Sequence, residues 1–456
     1  MSEGSESSSK EWVLEPETEY RFELDPGTSL AIKHVTGQPS TEYVSEETPM
    51  AVYGNLHIAI EQMRVRALAK FRGSPEPEGR PAPDLPTEPP RVLVLGPDSA
   101  GKTTLCKILI NYTVRAGQAW SPLLINVDPS EASSSRLRFS IQTLTSFPRE
   151  HGQLQPASDE LPVIPAGLGR NLRADHFGIE CPSATCVLST TRNPLLMDRL
   201  IRNLGVNVDE KSSNDPKGQT AGLIVDTPSS FASGTAATNE HRQKLIKACV
   251  DAFKINIILV VGHEKLNVEM QRTYGPTLKV VKVPKSGGVV ELDHGYRERV
   301  HDNQFHTYMY GEVITPPLGI SGGTQGGEAL ADLTLAPSST VVSFNDLTIY
   351  RIGAGTMAPS SALPVGASRS VSEMQPVLID PSIPGSGLLN AILAVLAPFN
   401  PDENERYDEE ILDLPVIGFI AVTHIDIAHK KLTVLSPTQG SLVGKTAVIG
   451  SYEWQE

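Results

Sequence analysis

The chain has 456 residues, 39% of them hydrophobic, which is enough for about three domains with sizeable cores. Its formal charge of −14 excludes a strongly basic surface that coats nucleic acid, although a local basic cleft stays compatible with it. The Ser/Glu-rich N-terminus does not read as a signal peptide and no apolar run approaches the roughly 18 residues of a membrane helix, so a soluble intracellular protein is expected.

Residues 1–10 are polar and read as disordered. Short strand-like runs follow at 20–24, 30–35 and 42–44, the pattern of a small β-rich domain. Within residues 49–72 the second half looks helical, through Ile58, Ile60, Met63, Val65 and Leu68. Residues 73–90 are Pro-rich and read as a stiff linker.

The apolar run Val92-Leu93-Val94-Leu95 leads directly into Gly96-Pro97-Asp98-Ser99-Ala100-Gly101-Lys102-Thr103-Thr104. This is G-x-x-x-x-G-K-[ST], in which a buried strand ends and backbone N–H groups wrap the phosphates of a nucleotide. Lys102 would reach the β- and γ-phosphates, and the Thr103 hydroxyl would ligate Mg²⁺. Leu105, Ile108, Leu109 and Tyr112 continue at helical spacing, so a helix N-terminus adds its positive end to the site.

Further buried-strand candidates lie at 123–127, 223–225, 257–261 and 278–283, with a helix at 238–253 whose Leu245, Cys249, Ala252 and Phe253 face inward. Continuous apolar runs separated by helical stretches imply a parallel sheet covered on both faces. The serine-rich stretches at 133–135 and 212–216 read as surface loops. From about residue 319 the composition turns to Gly, Ser and Thr and then to β-type runs at 341–344, 347–350, 416–422 and 431–435. The last two pair through a turn at Ala428-His429, and one helix at 388–396 interrupts the series. Of the four cysteines, Cys106, Cys181, Cys186 and Cys249, none stands at zinc-ligand spacing, and they read as buried thiols of a reducing compartment.

Asp128 and Asp226 each end an apolar strand, where a carboxylate holds Mg²⁺ or accepts a proton from an attacking hydroxyl; a helix-cap or turn role is the alternative for each. The stretch Pro284-Lys285-Ser286-Gly287-Gly288-Val289-Val290 permits close backbone approach to a ligand. Beyond it, Arg297 and Arg299 lie either on a lid that neutralises a transferring phosphoryl group or on an exposed charged helix. Thr423-His424-Ile425-Asp426 is the nearest approach to a guanine-reading motif, and it falls on a hairpin edge in the C-terminal region, which argues against guanine specificity. Asp226-Thr227-Pro228-Ser229 also lacks the last position of a switch-type Asp-x-x-Gly, so a regulatory NTPase is the weakest reading.

The combination of Glu19-Tyr20-Arg21-Phe22, Tyr43-Val44-Ser45-Glu46-Glu47-Thr48-Pro49-Met50, the loop from Gly96 to Thr104, Pro284 through Val290, and Thr433-Val434-Leu435-Ser436-Pro437 resembles the fungal Clp-type subunit of the mRNA cleavage and polyadenylation factor, within the polynucleotide 5′-hydroxyl-kinase family. The resemblance implies an α/β protein. A central P-loop NTPase-type parallel sheet (residues 91–317) would be flanked by a shortened N-terminal β-sandwich (1–72, then the linker 73–90) and a mostly β C-terminal α/β domain (318–456). It implies a nuclear location, ATP with Mg²⁺, a scaffold partner that also contacts the RNA polymerase II tail, other 3′-end processing subunits, only indirect contact with RNA, and no membrane. Carried over by position, nucleotide contacts fall on Ser99, Ala100, Gly101, Lys102, Thr103 and Thr104, with Glu19 near the adenine and Thr103 and Asp128 at the metal. Asp128 and Arg297 would be catalytic only in an active kinase.

Three departures bear on that activity. Active kinases of the family read Asp-x-Gly-Gln-Gly where this chain has Asp128-Pro129-Ser130-Glu131-Ala132. They place a tryptophan after the third strand, where Thr227-Pro228-Ser229-Ser230 stands here, and their lid carries an arginine at the position of His301. A subunit that binds ATP without using it is therefore expected, with an active RNA 5′-hydroxyl kinase as the alternative.

Overall fold

The computed structural model describes residues 19–23, 29–30, 35–36, 41–45, 47–74, 87–116, 120–128, 140–143, 194–232, 236–291, a few positions between 295 and 310, and then 337–352, 376–383, 385–399, 408–414, 416–437 and 440–453. Arg297, His301, Cys181, Cys186, the serines at 133–135 and most of the Pro-rich stretch lie outside them.

Near the N-terminus, β1 (Glu19–Glu23) pairs antiparallel with β4 (Thr41–Ser45). The run at 30–35, expected as one strand, instead supplies parts of two: β2 (Ser29–Leu30) and β3 (Val35–Thr36) pair with each other, Leu30 opposite Val35. Then α1 (Met50–Arg72) runs unbroken and ends at Gly73, whose φ of 64° suits a left-handed cap that few other residues adopt. The helix thus begins earlier than its apolar spacing indicated.

The central sheet is built on β5 (Arg91–Leu95), β6 (Leu123–Asn126), β7 (Ser140–Thr143), β8 (Leu223–Asp226), β9 (Ile257–Val261) and β10 (Lys279–Val283), in the order β10-β9-β5-β8-β6-β7. Five strands are parallel, as their continuous apolar runs require; β7 adds an antiparallel edge that the sequence reading omitted. Its helices are α2 (Lys102–Arg115), α3 (Pro194–Asn214), α4 (Ala236–Ala252) and α5 (Glu264–Tyr274).

Alternate residues of each central strand face opposite layers. Leu93, Leu95, Ile125 and Val225 pack with α3, α4 and α5 through Leu200, Leu204, Cys249 and Met270. Val92, Val94, Leu124 and Ile224 pack on the other face with α2 and α1, through Leu105, Leu109, Ile60 and Met63. The first helix is therefore part of the central core. Its Arg64 is buried, donating to the Ala221 carbonyl at 2.8 Å and pairing with Glu61 at 3.2 Å. Burial pulls that guanidinium down to about 10, against the opposing pull of Glu61. The Cys106 and Cys249 thiols are buried, and burial pushes Cys249 up.

Two sequence expectations fail here. Ser212, Ser213 and Asn214 form the last turn of α3 rather than a loop; Ser213 bonds back to the Asp209 carbonyl, a helical i−4 contact that lets a serine sit there. Residues 388–396 are not a helix: Ala391–Leu396 is strand β14.

The C-terminal sheet comprises β11 (Ser338–Ser343), β12 (Leu347–Ile352), β13 (Pro376–Leu378), β14, β15 (Val416–Asp426), β16 (Lys431–Ser436) and β17 (Lys445–Glu453), ordered β11-β16-β15-β14-β17-β12-β13. All six residues of β14 are buried because it is the central strand with a packed layer on each side. A short run that is apolar on every face looks alike in a buried helix and a buried strand, which is why periodicity misassigns it. The hairpin β15–β16 forms as expected, and its turn places Thr423 to Asp426 at the hairpin end.

Among the described residues, a polar cluster and an apolar anchor join the central and C-terminal parts. Asp413 accepts from Arg199 of α3 in a bidentate pair (2.8 and 2.5 Å) and from Asn203 at 2.7 Å. Met309, just beyond the expected lid, is fully buried in the C-terminal core, and the Tyr308 hydroxyl oxygen accepts from the Phe419 N–H at 3.1 Å.

Arg64→Ala leaves the Ala221 carbonyl without its buried donor and removes the ion pair to Glu61, which keeps the Trp120 Nε1 hydrogen bond. The expected loss is about 3 kcal/mol, read as a lower urea midpoint for the central unit, and an unchanged midpoint refutes the assignment. Asp413 supplies a pH test. Burial would raise its carboxyl, but the Arg199 and Asn203 hydrogen bonds outweigh burial and hold it below the usual range. A depressed folded pKa contributes stability that is present above the unfolded value of about 3.9 and lost as pH falls through the folded one. The melting difference between the wild type and Asp413→Asn should be constant at neutral pH and vanish in acid; its exposure limits the effect to less than about 1 kcal/mol.

Candidate phosphate-binding site

The order β5-β8-β6 brings three strand ends side by side: the loop after β5, Asp226 closing β8 and Asp128 just past β6. The loop turns sharply, with φ of 49° at Ser99 and 86° at Gly101. Two glycines make the turn possible. A Cβ on Gly96 would stand 3.0 Å from the Val261 carbonyl, and one on Gly101 would stand 3.0 Å from Val289 Cγ2. Val289 belongs to the segment 284–290, so the glycine-rich stretch does approach the phosphate loop closely.

Helix α2 begins at Lys102, and its first intrahelical bond is Leu105 N–H to the Gly101 carbonyl at 2.9 Å. The N–H groups of Gly101, Lys102, Thr103 and Thr104 precede that bond and carry the positive end of the helix dipole. Lys102 is 5% exposed and its Nζ donates to the Pro97 carbonyl at 3.1 Å, which holds the amine over the loop. Thr103 donates its hydroxyl to Asp226 Oδ2 at 2.5 Å, and both side chains are buried. That bond ties the first turn of α2 to the end of β8. Of the two strand-end acids that the sequence offers, Asp226 is the one that meets Thr103.

Asp128 is 2% exposed, and its N–H donates to Asn126 Oδ1 at 2.8 Å. Asn126, itself 2% exposed, belongs to no motif; its one signal in the sequence is an amide inside an otherwise apolar strand. On the far side of Asp226, Thr227 donates to the Val94 carbonyl at 2.6 Å, and Pro228 is buried. Phe231, the aromatic of that segment, is 1% exposed and packs in the core beneath the sheet. Above the loop, the Tyr53 hydroxyl of α1 donates to the Pro284 carbonyl at 3.4 Å.

Ser99, Ala100, Gly101, Lys102, Thr103 and Thr104 are thus brought into one turn, with Asp128 two strands away. Glu19 lies on β1, opposite Ser45. Arg297 lies outside the described residues, and Arg299 is helical. The donor set fits a magnesium–nucleoside triphosphate: a glycine cradle with no room for side chains, a row of helix-start N–H groups, one ammonium, and a hydroxyl beside a carboxylate.

Gly101→Ala forces a left-handed alanine into contact with Val289. It should destabilise the protein by about 2 kcal/mol by thermal melting. Gly54, inside α1 with nothing within 4 Å of its would-be Cβ, is the control. Gly54→Ala should stabilise by about 0.5–1 kcal/mol, and equal melting of both variants would refute the cradle assignment.

Comparison with known proteins adds to this geometry. Residues 335–456 match the family described as pre-mRNA cleavage complex II protein Clp1, and residues 34–67 match the N-terminal beta-sandwich domain of polyadenylation factor. Residues 185–311 match the mRNA cleavage and polyadenylation factor CLP1 P-loop family, a range that begins after the loop itself, so the loop is identified by its own sequence and geometry. The chain is 59% identical to the mRNA cleavage and polyadenylation factor CLP1 of Laccaria bicolor, covering 100% of both, over 498 aligned positions. It is 30% identical to the protein of the same name from Mycosarcoma maydis, over 92% of this chain and 86% of that one. Its fold is that of two solved chains. One, from a wild-type Clp1p–Pcf11p complex, has a TM-score of 0.64 at 23% identity over 91% of this chain and 82% of that one. The other, from work on the Pcf11p–Clp1p interface and on ATP loss in a glycine-to-arginine mutant, has a TM-score of 0.63 at 21% identity over 97% and 96%. A match to the N-terminal beta-sandwich family, a P-loop parallel sheet and a mostly β C-terminal sheet, together with 59% identity along the whole chain to a fungal relative, make this chain a member of the mRNA cleavage and polyadenylation factor CLP1 family.

Proposed function

We propose that the protein is an ATP-holding assembly subunit of the nuclear pre-mRNA 3′-end cleavage and polyadenylation machinery, required for the endonucleolytic step, with ATP kept as a structural ligand. The observation that carries this reading is the contrast between the two sides of the site. The cradle from Gly96 to Thr104 is complete, with Thr103 fastened to Asp226. The opposite wall offers little to an RNA end: Thr227 is committed to the Val94 carbonyl and Phe231 is sunk in the core. Stacking of a terminal base on an exposed aromatic is worth roughly 1–3 kcal/mol, and this segment does not supply it.

In this reading Ser99 to Thr104 bind the phosphates, Lys102 neutralises their charge, Glu19 meets the adenine, and Thr103 with Asp128 and Asp226 holds Mg²⁺. The metal ion, when bound, supplies charge neutralisation between phosphate oxygens. We place the domain boundaries at 72/73, 90/91 and 317/318, with α1, the last element of the N-terminal part, packed into the core of the central sheet. A ligand bound to the folded form at 100 times its Kd stabilises it by about 2.7 kcal/mol, enough for ATP to serve as a structural element. The partners are a scaffold subunit of the cleavage factor that also touches the RNA polymerase II tail, and further 3′-end processing subunits, consistent with the Clp1p–Pcf11p complexes of its structural neighbours.

One observation favours a second reading, an RNA 5′-hydroxyl kinase: Asp128 is buried just past β6, two strands over from the phosphate loop, where it would take the proton of an attacking hydroxyl while Lys102 and Arg297 steady the γ-phosphoryl group.

Mass spectrometry of the nucleotide that co-purifies separates the two. Intact ATP is expected, surviving long incubation, and Lys102→Ala should lose it and melt several degrees lower. ADP alone in fresh material would overturn the first reading. So would rapid γ-phosphate transfer to a 5′-hydroxyl oligonucleotide that Asp128→Asn abolishes.

A further inference from the structure

Asn126 is a polar residue in a strand that is otherwise core. Leu124, two residues before it, packs on the α2 face of the sheet with Val94 and Ile224. Side chains two apart in a strand share a face, so Asn126 lies on the α2 face as well. It stands in register with Asp226 on the neighbouring parallel strand, and Asp226 in turn holds Thr103 of α2. The amide is therefore beside the hydroxyl–carboxylate pair at the mouth of the phosphate loop.

Its orientation is fixed by chemistry. The Asp128 N–H requires an acceptor, so Oδ1 must face it, at 2.8 Å. That leaves Nδ2 turned the other way. The group is buried and donates to nothing among the described residues. Buried amide donors are almost always paired, and an unpaired one is costly enough to need an explanation. Around it stand Asp226 and Asp128, both carboxylates, while an incoming triphosphate presents only acceptors. A neutral donor suits an oxygen there; a third carboxylate would repel it.

We propose that Asn126 is a further binding residue of this site, its Nδ2 donating to an oxygen that arrives with the nucleotide, either a terminal phosphate oxygen or a water held by the metal ion. This inference rests on the nucleotide-holding reading above. Asn126 accordingly has two tasks: its oxygen fixes the Asp128 backbone, and its nitrogen senses the ligand.

The test is titration calorimetry of the nucleotide-stripped full chain with ATP and ADP, each in Mg²⁺ or in EDTA. Asn126→Asp keeps the acceptor for the Asp128 N–H and replaces the donor with an acceptor. ATP should bind about tenfold more weakly in Mg²⁺, equivalent to about 1.4 kcal/mol. If the oxygen is the terminal phosphate's, the loss is confined to ATP and persists in EDTA. If it belongs to a metal-held water, the loss falls on both nucleotides and only in Mg²⁺. Unchanged ATP affinity in every condition overturns the proposal, as does an equal loss for ADP in EDTA, which marks general charge repulsion. Asn126→Leu removes the donor without adding charge and must repeat the pattern; wild-type binding by a folded Asn126→Leu protein also overturns it. Lys102→Ala, run in parallel, reports on the underlying reading alone: if it binds ATP as the wild type does, that reading fails on its own account.

Discussion

Two missing Cβ atoms hold the site together. At Gly96 the backbone passes within van der Waals reach of the Val261 carbonyl, and at Gly101 it turns left-handed beneath Val289. Any side chain at either point would separate the phosphate loop from β9 or from the segment that roofs it. Because both contacts are close, the loop, the end of β9 and residues 284–290 behave as one packed unit, and Tyr53 of α1 fastens to the same roof at Pro284. The N-terminal helix is thereby joined to the roof of the loop by a hydrogen bond. Its buried Arg64 and its side chains in the central core reinforce that coupling.

The C-terminal sheet is attached by unequal contacts. The Arg199–Asp413–Asn203 cluster has good geometry but is partly exposed, with side-chain exposures of 29% and 46% for the ion pair, and such a pair contributes less than about 1 kcal/mol. Met309 is fully buried, and burial of a Met side chain is worth about 1.5–3 kcal/mol. The apolar anchor therefore dominates, and the ion pair fixes direction. Residues 305–310, which follow the stretch bearing Arg297 and Arg299, are rooted in the C-terminal core through Phe305, Tyr308 and Met309.

The parts of the fold that could be read in the sequence are those with local causes. The phosphate loop is legible because its glycines and lysine act within nine residues, and the parallel strands because burial on both faces demands unbroken apolar runs. The β15–β16 hairpin is legible because its turn and alternation are adjacent. What was not legible depends on distant neighbours. Strand β14 is all apolar because β15 and β17 flank it and a core lies on either side, none of which its own six residues reveal. The split of residues 29–36 into two pairing strands, and the edge strand β7, are likewise decisions of register. At the site, the sequence offered Asp128 and Asp226 on equal terms. Only the strand order, with β8 next to β5 and β6 one place further, assigns Thr103 to Asp226. Asn126 escaped notice because a single amide in a strand carries no motif; its meaning comes from the orphaned nitrogen that the fold creates.

Holding a triphosphate and spending it make different demands on the same pocket. Holding requires donors turned inward and water kept out, and Lys102, Thr103, Asn126 and Asp226 are all at least nine-tenths buried. Spending requires a second substrate brought in line, with an exposed platform for its base and a mobile cation to follow the charge. Here the residues after β8 are turned toward the protein: Thr227 closes on β5, Pro228 is covered, and Phe231 strengthens the core against α4. Arg242, also buried, donates to the Phe231 carbonyl and to Asn239, and pairs with Glu269. These contacts brace the segment after β8, and with it the end of the strand whose Asp226 carboxylate accepts from Thr103.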